Sequence, residues 1–384
     1  MSLYYRPTIA EISLDALRHN ISAFRNHMPA GTRLMASVKA NAYGHGAAGV
    51  AREALACGVD YLGVAFLDEA LQLRRDGIDG PIMVLGYVPP EGLELAREQE
   101  ITIALFREDI LAAIALLPAC SKRLKVHIKL DTGMGRLGLL PDQDWQDFIR
   151  RTLGTKGVEV EGIFTHFARA DEQDKSYTQL QHDRFLEAAE YGRLQGIPII
   201  HSGNSATGID TPQWAGSMLR LGISMYGLYP SDEVAHESIH LQPVMSLKTQ
   251  LVMVKSAPPS WGISYGSRYV TSARERIGTL PVGYADGYSR MLTGHAEALL
   301  RGRRVPVLGT ICMDQCMIAI PDDDVQPGEE VVLMGSQGDE TISAEELAGE
   351  LGTINYEVTC MLADRVPRVF LKDGQRVVSN RLLD

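Results

Sequence analysis

The sequence has no uncharged apolar run near the roughly 18 residues that a membrane-spanning helix needs. Its first twelve residues carry Arg6 and Glu11 and lack the apolar core of a secretory leader. No membrane-spanning helix is therefore expected, and the expected compartment is the cytoplasm. Cysteine is scarce: five in 384 residues, an odd number, so reduced core thiols are expected rather than a disulfide framework. Cys312 and Cys316 lack zinc-knuckle spacing and a second pair of ligands, so no metal is expected. Basic residues are in deficit, 37 Lys and Arg against 48 Asp and Glu, and the net charge of −11 opposes binding to nucleic acid or an anionic membrane. A GxGxxG fingerprint after the first strand is also missing, which disfavours a dinucleotide-binding doubly wound sheet.

What is present is an alternation. β-rich, near-continuous apolar runs fall at 34–38, 61–66, 82–87, 101–106, 125–130, 160–167, 199–202 and 218–226, as strands buried on both faces require. Between most of them lie stretches with apolar residues three and four apart: Leu14, Leu17, Ile21 and Phe24, and the segments 109–117, 144–153 and 177–194. Eight strand–helix repeats over about 230 residues match a (β/α)8 TIM-type barrel, whose usual size is about 250. After about residue 240 the pattern changes to strands, at 245–254, 276–282, 298–300, 305–308, 316–320 and 331–334, with one short helix at 343–351 whose Ser343 and Glu346 have capping-box spacing. The expected organisation is α/β: a barrel domain over 1–240 and a mostly β C-terminal domain over 241–384, with a linker bracketed by Pro230 and Pro243.

The most informative stretch is 38–46, Val-Lys-Ala-Asn-Ala-Tyr-Gly-His-Gly, which places Lys39 where an apolar strand gives way to a glycine-bearing loop. The carboxyl edge of such strands is where ligands bind, and a desolvated lysine there can hold a carbonyl as a Schiff base. Most lysines are merely solvated, so the case rests on what the other strand ends supply: Lys129 and Arg136, His166, then His201, Asn204 and Ser205, then Arg220. Ser205, with Gly222 and Ile223, offers hydroxyl and backbone N–H donors for an anion at the position where barrels commonly dock phosphate. A phosphate site beside a Schiff-base lysine implies pyridoxal 5'-phosphate. The segment His236-Glu-Ser-Ile-His240 has the HExxH pattern of zinc peptidases, but it sits between Pro230 and Pro243 and leads into a strand, without the long helix that pattern requires.

Taken together, the blocks Arg6-Pro-Thr, 38–46, 131–138 (Asp-Thr-Gly-Met-Gly-Arg-Leu-Gly), Thr165-His-Phe-Ala, Asn204-Ser205, 219–223, Ile263-Ser-Tyr-Gly, 283–288, Cys312-Met-Asp and Ile354-Asn-Tyr resemble the alanine racemases from end to end. Gly203 and Arg169 depart from many members at positions with no proposed catalytic role. The resemblance implies that Lys39 carries the cofactor and that Tyr265 is the second base, on the opposite face of the substrate. It further implies that His166 assists Tyr265, that Arg220 faces the pyridine nitrogen, and that Tyr43, Ser205, Gly222, Ile223 and Tyr356 hold the phosphate. Arg136 and Met313 would meet the substrate and the cofactor's phenolic oxygen, and Lys129 is carbamylated in many relatives. It implies a homodimer in which Tyr265, Met313 and Asp314 complete the neighbour's site, and a reaction supplying D-alanine for peptidoglycan. Competing readings are a racemase of wider breadth that also accepts serine, a non-catalytic pyridoxal-phosphate carrier, a barrel decarboxylase of basic amino acids, and a zinc peptidase.

Overall fold

The computed structural model describes residues 4–383. The chain divides into two compact units: Leu17–Ala42 with Ala47–Gln242, and a second made of the segment ending at Ala16, Tyr43–Gly46 and everything from Pro243 on. The first strand, β1 (Ile9–Ser13), belongs to the second unit.

The first unit is the barrel. Its strands are β2 (Arg33–Ser37), β3 (Tyr61–Val64), β4 (Ile82–Val84), β5 (Ile101–Leu105), β6 (Leu124–Lys129), β7 (Val158–Phe164), β8 (Ile199–His201) and β9 (Met218–Leu221), all parallel, in the order β9-β2-β3-β4-β5-β6-β7-β8. Each falls within, or overlaps, one of the eight expected runs. Ser217 joins the two ends: its N–H donates to Ile200 O at 2.8 Å, and its Oγ accepts from Ile200 N at 2.9 Å. Gly216 makes this approach possible, since it has φ +77° and a Cβ there would stand 2.2 Å from Ile200 O. The result is a nearly closed barrel whose interior is filled by Met35, Tyr61, Met83, Ala104, Phe164, Ile199 and Met218.

The expected strand over 218–226 stops at Leu221, because Gly222 leaves the extended region (φ −109°, ψ −111°) and Ile223–Tyr226 winds into a 3-10 turn. The helices expected at 109–117, 144–153 and 177–194 are Glu108–Ala115, Trp145–Gly154 and Ser176–Leu194. Asp144 caps the second of these, accepting from Asp147 N at 2.9 Å.

The second unit is built on an eleven-stranded sheet. In it β1 runs antiparallel to β10 (Met245–Gln250) and parallel to Arg368–Lys372. The apolar run at 245–254 is interrupted, giving β10 and a separate strand Met253–Ala257. The helix Ala344–Leu351 is capped by Ser343 Oγ, which accepts from Glu346 N at 3.0 Å. The Glu346 carboxylate does not close the box; it takes two hydrogen bonds from Arg304, at 2.6 and 2.9 Å.

Candidate active site

At the carboxyl end of β2, Val38 still pairs with the sheet through Gly63 O at 2.8 Å, and Lys39 follows as the first residue beyond it. The next four residues, Ala40, Asn41, Ala42 and Tyr43, all have φ between 51° and 55°. Such a left-handed turn costs roughly 1–2 kcal/mol per residue. Side chains hold it in place: Glu69 Oε1 accepts from Ala40 N at 2.7 Å while its Oε2 accepts from Ala65 N at 2.7 Å, and Asn41 Oδ1 accepts from Ala47 N at 2.9 Å. Lys39 thus leaves the barrel edge on a strained, tightly anchored turn, the setting in which backbone strain is a functional signal.

β2 pairs with β9, Met35 opposite Arg220. Arg220 is only 6% exposed. Its Nη1 donates to His201 Nδ1 at 2.9 Å, and its Nη2 donates to Thr165 O and Ser202 O at 2.8 Å each and to His166 Nδ1 at 3.0 Å. Burial and the nearby Arg136 pull the guanidinium down to about 9, so it remains a cation at neutral pH. Burial, then the Arg220 charge, holds His166 and His201 well below the ordinary histidine value. Both rings are therefore neutral. Because arginine only donates, each ring accepts at Nδ1 and carries its proton on Nε2.

On β6, Lys129 lies against the Phe164 ring, 5.3 Å from its centroid. Burial first, then Arg136 and Arg220, lower its amine to about 8. The loop after it folds around Asp131, whose Oδ1 accepts from Gly133, Met134 and Gly135 N at 2.9–3.0 Å and whose Oδ2 accepts from Arg136 N at 2.8 Å. Burial raises the Asp131 carboxyl, but these four N–H donors outweigh it and hold the group below the usual carboxylate range. The glycine-rich stretch is thus a shaped loop that carries the exposed Arg136 on a fixed backbone.

Ser205 opens the helix Ser205–Asp210, and its Oγ accepts from Gly222 N at 2.9 Å. As first residues of their helices, Ser205 and Ile223 have backbone N–H groups with no intrahelical acceptor, the donor arrangement an anion needs. In the second unit, the Tyr43 and Tyr356 rings stand 6.2 Å apart. Tyr265, 74% exposed, lines a cleft of about 490 Å³ with Trp261, Ser264, Cys312, Met313 and Asp314. His236 and His240 share no long helix, since only His236–Ser238 forms a 3-10 turn, and His236 stacks on Tyr229 at 3.9 Å.

Two family models cover nearly the whole chain: alanine racemase N-terminal domain at residues 12–230, and alanine racemase C-terminal domain at 244–370. The chain belongs to the alanine racemase family. It is accordingly an enzyme, a racemase. The alanine racemase of Clostridium tetani is 46% identical over 382 residues, 98% of each chain. That of Halalkalibacterium halodurans is 46% identical over 392 residues, covering both chains fully. Among solved structures, alanine racemase from Bacillus anthracis with bound L-Ala-P superposes with a TM-score of 0.93 at 40% identity, covering 99% of both chains. The match to the family's C-terminal domain separates this chain from proteins that resemble the barrel alone.

Within this racemase barrel, Glu69, His127 and Glu161 were not singled out from sequence. Glu69 gives no signal there, because its role is to accept from backbone N–H groups of two strand ends. His127 had one: Lys125, His127 and Lys129 alternate inside an otherwise apolar strand, placing three polar groups on the same face of β6.

Proposed function

We propose that the protein interconverts L- and D-alanine at the carboxyl mouth of the barrel, with pyridoxal 5'-phosphate attached to Lys39. The arrangement of Arg220 carries this reading. Its buried guanidinium is fixed by four neutral acceptors and has only donors to present, so a pyridine nitrogen facing it stays unprotonated. Relatives that decarboxylate or transaminate tend to place a carboxylate there. The donor set fits the cofactor: an amine at Lys39, N–H groups at Ser205 and Ile223 and the Ser205 hydroxyl for a phosphate, and a guanidinium for a ring nitrogen. When bound, pyridoxal phosphate supplies an electron sink that acidifies the α-carbon of an amino acid.

The chain's own groups do the rest. Lys39 Nζ exchanges the α-proton on one face and Tyr265 Oη on the other, so the substrate need not turn over. Lys39 takes the proton of the D-isomer and Tyr265 that of the L-isomer. His166, neutral and fixed at Nδ1 by Arg220, offers its Nε2–H as donor to the Tyr265 oxygen. Tyr43, Gly222 and Tyr356 join Ser205 and Ile223 at the phosphate, while Arg136 and Met313 meet the substrate carboxylate and the phenolic oxygen. Tyr265, Met313 and Asp314 complete the site of a second copy in a homodimer; the exposure of Tyr265 and its open cleft support this. The product, D-alanine, serves peptidoglycan synthesis in the cytoplasm. Incubation with L-alanine, and separately with L-serine and L-lysine, followed by chiral chromatography, tests the reading. D-alanine is expected to form, borohydride pretreatment to abolish it, and absence of α-deuterium uptake from heavy water would contradict it.

A further inference from the structure

The buried Arg220 has no carboxylate within ion-pair distance among the described residues, although a buried guanidinium ordinarily requires one. Following its hydrogen bonds leads to one. His201 accepts from Arg220 at Nδ1, and its Nε2 stands 2.9 Å from His127 Nδ1. Since His201 carries its proton on Nε2, it donates, and His127 accepts and must carry its own proton on Nε2. That atom makes no hydrogen bond in the structure, and Glu161 Oε2 stands 3.5 Å from it, within ion-pair distance. Two hydrogen bonds, Arg220 to His201 and His201 to His127, run in one direction from the donor-only end, and the proton they leave on His127 Nε2 faces the acceptor-only Glu161 carboxylate across 3.5 Å.

The local sequence is shaped to make this chain. Val126 pairs with Val160 but His127 pairs with Gly162, so Glu161 is the extra residue of a β-bulge on β7. A bulge in a parallel pair is rare and re-aims a side chain. Gly162 leaves room for the ring, for a Cβ there would lie 2.5 Å from His127 Nδ1. The Glu161 carboxylate is further engaged by Tyr61 Oη at 2.5 Å, by Lys125 Nζ at 3.2 Å and by Thr102 Oγ1 at 3.5 Å.

We propose that Glu161 is a positioning residue for Arg220, acting through His127 and His201 to supply the remote acceptor end that fixes both ring tautomers and balances the buried guanidinium. The part of this concerning the cofactor rests on the placement of Arg220 at the pyridine nitrogen; the relay itself does not.

The test uses 15N-histidine-labelled full-length protein without added cofactor, with signals assigned by single substitutions, and in parallel the visible spectrum of the pyridoxal-phosphate-loaded protein. The unaltered chain should show His127 and His201 each as a single tautomer protonated at Nε2. In Glu161→Gln and Glu161→Leu the His201 nitrogens, which do not touch residue 161, should shift or split into two tautomers, and the cofactor band should move. Tyr61→Phe removes another group on the same carboxylate while leaving the acceptor, so it should change neither. Unchanged His201 signals in both Glu161 variants would overturn the proposal, as would equal disturbance by Tyr61→Phe, which would mark a merely structural effect. If Arg220→Lys leaves the cofactor band unmoved, the placement of Arg220 at the cofactor fails instead, and the histidine signals still decide the relay.

Discussion

Arg220 Nη1 meets His201 Nδ1 at 2.9 Å, an arginine paired with a neutral ring where a carboxylate would make the stronger ion pair. Such an arginine keeps its donors but cannot pass a proton on, which would restrain an electron sink placed against it. Arg220→Glu should therefore lower racemisation by about 100-fold or more, roughly 2.7 kcal/mol of barrier. Loss of alanine to pyruvate should rise at the same time. The measurement is alanine, its enantiomer and pyruvate from a single incubation; an undiminished racemisation rate would contradict the role assigned to Arg220.

His127, His166 and His201 all lie below the ordinary histidine pKa, burial being the main cause in each. The unfolded chain takes up these protons near pH 6.5 while the folded chain does not, so it binds more protons as the solution is acidified. Their contribution to stability is thus fully present above about pH 6.5 and is lost as pH falls through it toward the folded-state values. The melting temperature should drop between pH 7 and pH 5, and His201→Gln should flatten the slope. A melting temperature that rises on acidification in this range would show the sign to be wrong.

Lys129, drawn down to about 8 by burial, Arg136 and Arg220, has far more neutral amine at neutral pH than an ordinary lysine. That amine can attack carbon dioxide, forming an N–C bond and releasing its proton, and the resulting carbamate anion would steady Arg136. Protein equilibrated with 13C-bicarbonate should show a carbamate resonance that disappears in Lys129→Met. A spectrum identical in the two proteins would remove carbamylation from the account.

The barrel strands were readable because burial on both faces writes them as apolar runs, and the candidate site residues could be picked out because they sit where those runs end. Other features depend on distant partners. β1 joins the second unit through Arg368–Lys372, more than 350 residues away along the chain, and nothing in Ile9–Ser13 announces that pairing. Ala40 to Tyr43 contains no glycine, so its left-handed path cannot be read locally; it is imposed by Glu69 and Asn41. The bulge at Glu161 changes register without changing composition. Each depends on an acceptor or strand supplied from elsewhere, which periodicity does not record.

Gly44 illustrates the same dependence within the second unit. It has φ +84°, and a Cβ there would lie 2.0 Å from Thr359 O, while its own carbonyl accepts from Arg368 Nε at 2.9 Å. Gly44→Ala combines a backbone clash with a left-handed conformation and should cost on the order of 2–3 kcal/mol or more. Urea denaturation measures it; a loss below about 0.5 kcal/mol, the usual range of neutral surface changes, would show that the segment relaxes freely.

If two subunits share each site, a Lys39→Ala protein and a Tyr265→Ala protein, each inactive in converting L-alanine, should complement one another. Random exchange in a two-fold dimer places one intact site in about half of the dimers, restoring about a quarter of normal activity. Mixtures that stay inactive after demonstrated subunit exchange would argue for sites built within one chain.

Lys39 is the one amine expected to carry the cofactor. Protein saturated with pyridoxal phosphate, reduced with borohydride, digested and sequenced by mass spectrometry reads this directly. A pyridoxyl phosphate adduct is expected on Lys39 and none in Lys39→Ala; an adduct on another lysine, or one that persists in the variant, would contradict that assignment.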